Sequence, residues 1–229
     1  ARLLLEKGAY PNVEVESSAD TLSIAIRNSD QKMIDLLCSY GAARSVGLLA
    51  HYGDIQTAAA VFAANPALAD NPGALASAAG NGHEAFVRLM LRHQPDLAQR
   101  IAVGARTCEL TEFLFQHGMN PSRPDWLRIT PLHEFARKGE VEKAAIFIDH
   151  GADLEARDED ICSTPLGWAA KFGKTLLVEL FLRRGAKPNL PDDPPWATPV
   201  AWATRRRHDR VVELLRQYEK GGALPAQTS

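Results

Sequence analysis

A short motif that returns at a fixed interval constrains this chain more than any other feature. Thr130-Pro131-Leu132, Thr164-Pro165-Leu166 and Thr198-Pro199-Val200 begin 34 residues apart, and Gly151-Ala152 and Gly185-Ala186 keep the same step. Self-similarity on this scale means stacked copies of one supersecondary unit. Each copy reads as two helices. Thr caps a helix through its side-chain oxygen, and Pro at the first helical position gives up only an N–H that has no intrahelical partner. Leu132, Phe135 and Ala136, like Leu166, Ala169 and Ala170, then fall on one face at helical spacing. Gly139 and Gly173 stop this first helix. A second helix carries Val141, Ala144, Ala145 and Ile148 in one copy and Leu176, Leu177, Leu180 and Phe181 in the next, ending at Gly151 and Gly185. One such pair cannot bury its apolar face alone, so the copies must stack.

The block TPLxxAxxxG, a helical run, GA and a Pro/Asp/Asn-rich stretch make residues 126–220 resemble the ankyrin repeat, about 33 residues long with a T-P-L-H-x-A signature. The resemblance implies an all-α solenoid of stacked helix-turn-helix pairs, with short β-hairpin fingers between some repeats. Upstream the signature decays while the register survives. First helices are expected near Asp20, Arg44, Gly73 and Leu97, and second helices in 33–43, 55–66, 84–95 and 109–119. Two of the steps are short, as if the finger had been lost. The expected organisation is a single domain over 1–220, with about seven repeats and a partial one at the N-terminus, followed by a flexible tail at 221–229. Ala1–Gly8 reads as a second helix without its first, so the chain is expected to continue upstream.

Several function classes are disfavoured at this level. No run of 18 uncharged apolar residues exists, so no membrane-spanning helix is expected. The formal charge of −2 makes wholesale nucleic-acid binding unlike this chain. Three cysteines without CxxC spacing, and no secretory signal, point to a cytoplasmic setting. No HExxH, Walker, GxSxG or GxGxxG motif is present, so no cofactor, metal, small-molecule substrate or catalysis is expected. The histidines fall at repeat positions with structural uses. His83 and His208 open second helices, and His117 and His150 sit at helix ends, where a ring complements the helix dipole. The family resemblance implies that His133 bonds to backbone between repeats. The acidic run Glu155, Asp158, Glu159 and Asp160 reads as a solvated finger tip.

The same resemblance implies that ligand contacts come from finger tips and from late first-helix positions, along a concave face. In register these include Arg27 and Asn28, His51 and Tyr52, Gly80 and Asn81, and Gly104 and Ala105. In the last three repeats they are Arg137, Lys138, Lys171, Phe172, Arg205 and Arg206, with Trp126 and Trp196 on the fingers. Cations interleaved with aromatics are favoured at interface hot spots. Trp126 and Trp196 are either contacts of this kind or plugs between neighbouring fingers, whereas Trp168 and Trp202 belong to the core. The expected function is a monomeric protein-interaction module, a scaffold or adaptor for an acidic or phosphorylated segment of another protein. RNA binding on the same face, regulation of a larger enzyme, or a spacer role are the alternatives.

Overall fold

In a computed structural model that describes residues 1–11, 21–28, 30–42 and 45–221, every regular element is helical. The α-helices are α1 (Arg2–Glu6), α2 (Thr21–Arg27), α3 (Gln31–Ser39), α4 (Val46–Tyr52), α5 (Ile55–Ala64), α6 (Pro72–Asn81) and α7 (Glu84–His93). They continue with α8 (Cys108–Gln116), α9 (Pro131–Lys138), α10 (Val141–Asp149), α11 (Pro165–Lys171), α12 (Thr175–Arg183), α13 (Pro199–Arg205) and α14 (Asp209–Glu219). Single 3-10 turns cover Pro66–Ala69 and Leu97–Arg100. Asp20, Arg44, the Arg27 side chain and the tail from 222 onward lie outside the described residues.

Two rows of helices result. First helices pack on first helices, α4 on α6 and α9 on α11 on α13, while second helices pack as α5 on α7 and as α8 on α10 on α12 on α14. Small side chains permit the close approach of the first row: Ala50, Ala78, Ala79, Ala136, Ala169, Ala170 and Ala203 are fully buried. Phe62, Phe86, Phe147 and Phe181 fill the core, which runs from Leu49 to Leu215. A separate small cluster gathers Leu5, Leu22, Ala25, Leu37 and Leu48, so α4 contributes to both.

The capping chemistry outlasts the motif. The Thr164 and Thr198 hydroxyls accept from the N–H of Gly167 and Ala201, each at 3.3 Å. In the divergent repeats Ser45 and Asn71 take over, accepting from Leu48 N–H at 3.3 Å and Ala74 N–H at 2.9 Å. Asn71-Pro72 is thus a Thr-Pro start in other residues. The repeat expected to begin at Leu97 departs further. Its first helix is a single 3-10 turn, after which residues 101–105 run on without regular structure to α8.

The expected β-hairpin fingers are not formed: no strand occurs among the described residues. The joining segments are turns, and carboxylates take the N–H groups that a strand ladder would use. Asp125 accepts from Leu127 and Ile129 at 2.9 and 2.8 Å, and Asp158 from Ile161 and Ser163 at 2.7 and 3.1 Å. In each finger one backbone bond crosses, from Asp125 to Ile129 and from Asp158 to Ser163, and Glu159 N–H reaches back to Leu127 O at 2.9 Å. Arg128 and Cys162 turn the tips at φ 58° and 50°. In the next finger Pro194 and Pro195 have no N–H to offer a ladder.

His133 sews two repeats together. Its Nδ1 accepts from Thr130 N–H at 3.1 Å, and its Nε2–H donates to Ser163 O at 3.1 Å. That pattern requires the neutral ring. Burial lowers the His133 pKa below its ordinary 6.5, outweighing the Ser163 carbonyl and the charges of Asp158 and Asp125, which pull upward. The unfolded chain therefore takes up this proton first. The stability tied to the neutral ring is complete above about pH 6.5 and is lost as pH falls below it. Urea unfolding midpoints are expected to drop between about pH 7.5 and pH 5, and the drop should be smaller in His133→Asn. An unchanged slope in the variant would contradict the assignment.

Candidate functional site

The sequence places the candidate ridge on the last turns of α9, α11 and α13, and the structure stacks those helices side by side. Its centre lies over α11 and α13. The Lys171 ammonium stands 4.7 Å from the Trp202 ring centre, 5.6 Å from Phe172 and 5.9 Å from Trp168. The Arg205 guanidinium lies 4.6 Å over the Trp202 ring and reaches Trp196 O at 3.4 Å. Trp196 meets Trp202 edge-on at 6.3 Å and remains 46% exposed. Phe172 is 38% exposed, and Arg206, which caps α13, is exposed too. Among the described residues, Lys171, Arg205 and Arg206 have no carboxylate within salt-bridge distance. The charges of Lys171 and Arg205 are seated on ring faces instead.

The α9 end differs. Arg137 is held by Glu134, with Nη2–Oε2 at 2.6 Å, and Lys138 Nζ lies 3.8 Å from the same carboxylate. The hydrogen bond and charge of Glu134 raise the Arg137 pKa further. Two cations therefore share one anion, and the ridge keeps a net positive charge there. Trp126 is not a plug. It is 83% exposed and, among the described residues, makes no ring or cation contact. The structure thus assembles Lys171, Phe172, Trp196 and Arg205 into one cluster, carries it on to Arg206, Arg137 and Lys138, and leaves Trp126 apart.

The floor of the cluster comes from residues that sequence reasoning assigned elsewhere. Trp168 and Trp202 are buried as expected, each 6% exposed, yet their ring faces seat the cations. Their indole N–H groups are fixed from the finger: Trp168 Nε1 donates to Asp158 Oδ2 at 2.9 Å, and Trp202 Nε1 to Ser163 Oγ at 2.8 Å. Ser163 Oγ in turn donates to Ala197 O at 2.8 Å. Asp158 is 2% exposed, so the acidic run is not a uniform solvated tip; one member is buried framework, while Glu159 and Asp160 stay exposed. The signal available in sequence was the spacing of Asp158 to Trp168 within one repeat.

The remaining candidates are more modest. His51 and Tyr52 meet edge-on at 4.9 Å at the end of α4 and are exposed. Gly104 and Ala105 are not on a helix, and Ala105 is buried. Among the described residues no cluster of three or more His, Cys, Asp or Glu is placed to hold a metal ion, and no helix is long and apolar enough to cross a membrane.

No curated protein matches the chain. A family model describing ankyrin repeats, three copies, matches residues 99–192, which reaches from the irregular repeat through α8 to α12. With the stacked helix pairs and the Thr-Pro starts, this match identifies residues 99–192 as ankyrin repeats.

Proposed function

We propose that the chain is a protein-interaction module, a scaffold or adaptor without catalysis of its own, whose ridge over α11 and α13 holds an acidic or phosphorylated segment of a partner protein. Ankyrin repeats are in general protein-interaction modules. The observation that carries the finer reading is the pair Lys171 and Arg205, seated on Trp202 without a carboxylate partner. A cation whose stem is held by an aromatic face loses less freedom on binding, and its charge remains available to an incoming anion. The exposed edges of Trp196 and Phe172 add apolar area beside it. A monomer working in the cytoplasm fits this reading.

The same aromatics and arginines suit single-stranded RNA by stacking and charge. Capture experiments separate the two. A retained protein that survives nuclease digestion, and is lost when Arg137, Lys171 and Arg205 are all changed to Glu, is the expected result. Retention of nucleic acid, with no protein left after nuclease, would favour the RNA reading.

A further inference from the structure

The irregular repeat leaves a gap in the first-helix row. Between α6 and α9, where a first helix belongs, only the 3-10 turn Leu97–Arg100 and residues 101–105 intervene. A groove of about 500 Å3 opens there, lined by Gly80, Val103, Gly104, Arg123, Phe135 and Lys138 among others. Its volume is in the range of pockets that take small ligands and short peptides, roughly 300–1,000 Å3.

The backbone in this groove lacks partners. The segment enters extended at Ile101, φ −121° and ψ 162°, and is tied at its far end by Ala105 N–H to Thr111 Oγ1 at 3.1 Å and Arg106 N–H to Ala79 O at 2.9 Å. Between these ties, the N–H groups of Ala102, Val103 and Gly104 make no hydrogen bond to any described residue, and their carbonyls accept none. The three residues are half-buried, so their polar groups lie at the wall of a cleft. Unpaired main chain at a groove is what an extended peptide uses when it binds by main-chain pairing. A helix would bring its own backbone bonds already made.

The charge of the rim selects the peptide. Each acid of the lining is engaged: Asp125 by the N–H groups of Leu127 and Ile129, Glu134 by Arg137 and Lys138, and Glu140 by Lys143 at 3.4 Å. Arg100 pairs with Asp70. Arg123 is exposed and has no carboxylate partner among the described residues, and Lys138 is only loosely held. The spare charge is positive, and Lys138 is common to the groove and the ridge.

We propose that this groove takes an extended segment of a partner protein, pairing its main chain with Ala102, Val103 and Gly104 and placing an acidic side chain at Arg123. The proposal rests on the interaction-module reading and adds a second contact to it, one that adjoins the ridge at Lys138. The probe is the synthetic peptide acetyl-Val-Glu-Val-Glu-Val-amide, titrated into the 15N-labelled chain and followed by NMR. Shifts of the Ala102, Val103 and Gly104 amides are expected, absent with the lysine counterpart and with an acidic version N-methylated along its backbone. Gly80→Leu fills the groove from α6, where an added Cβ meets nothing within 4 Å, and should abolish the shifts while the chain melts as before. No shift at these three amides, equal shifts with the lysine or N-methylated peptide, or shifts undiminished in Gly80→Leu overturn the proposal. Lys171→Gln with Arg205→Gln is the companion variant. Groove shifts that persist while this variant captures partner as well as wild type leave the groove standing and remove the ridge.

Discussion

Asp158→Ala is expected to lower the stability of the chain by about 3–5 kcal/mol, among the largest losses available to one side chain here. The carboxylate is 2% exposed and accepts three N–H groups, those of Ile161, Ser163 and the Trp168 indole, at 2.7, 3.1 and 2.9 Å. Alanine leaves all three donors facing a small apolar gap. An unsatisfied buried donor costs about 1–3 kcal/mol, and water entering the gap recovers part of the sum. Asp158→Asn keeps the shape but turns an NH2 toward a donor, so an intermediate loss is expected. The consequence reaches the ridge. Trp168 carries Lys171 on its face, and Ser163, oriented by Asp158, holds the Trp202 indole. Urea denaturation and partner capture on the same variants check both effects. A loss under about 1 kcal/mol would show that the finger is not framework.

The second large effect is expected where a helix-ending glycine lies under a histidine of the next repeat. Gly53 sits at φ 70° and Gly173 at φ 65°, conformations that side chains rarely adopt. A Cβ at Gly53 would stand 2.5 Å from His83 Nδ1, and one at Gly173 would stand 2.7 Å from His208 Nδ1. Each ring is held in place by a bond to the preceding repeat, His83 Nε2 to His51 O at 3.0 Å and His208 Nε2 to Lys171 O at 3.2 Å. Alanine at either glycine therefore adds backbone strain and expels a clamp between repeats, together about 2–4 kcal/mol. Gly185 is the internal control. Its φ is 92° but a Cβ there meets nothing within 4 Å, so Gly185→Ala should cost only about 1 kcal/mol. Equal losses at Gly53, Gly173 and Gly185 would mean that backbone strain alone matters.

The parts of the fold legible in sequence were those fixed by local chemistry. Thr-Pro starts locate α9, α11 and α13, and Gly139, Gly151, Gly173 and Gly185 close α9 to α12, because capping and left-handed turns act within a few residues. Second helices in the divergent half were legible from the register that the glycines keep, as α5, α7 and α8 show. What local chemistry did not reveal was substitution of one device for another. Asn71-Pro72 does the work of Thr-Pro, and the Asp125 and Asp158 carboxylates replace the strand ladder of a finger. The irregular repeat has a readable weakness, since Val103 and Gly104 are adjacent poor helix residues. Its consequence, a groove against Phe135 and Lys138, depends on packing across repeats.

The ridge divides in the same way. That Lys171, Arg205 and Arg206 share a face with Phe172 and Trp196 follows from register. That Lys171 and Arg205 converge on one tryptophan ring does not, because the Trp202 indole is oriented by Ser163, 39 residues earlier. Reading Trp168 and Trp202 as core was correct and incomplete, since a ring can close a core with its edge and N–H while its face carries a cation.

The central claim is that partner binding depends on the cations of the ridge. The measurement that tests it most directly is the dissociation constant of the captured partner for the wild-type chain and for the triple variant Arg137→Glu, Lys171→Glu, Arg205→Glu, with thermal unfolding of both chains recorded alongside. Loss of measurable binding by a variant that remains folded, together with weaker wild-type binding at raised salt, is the predicted result. Binding by the folded variant at wild-type strength would contradict the account and move the interface off this face.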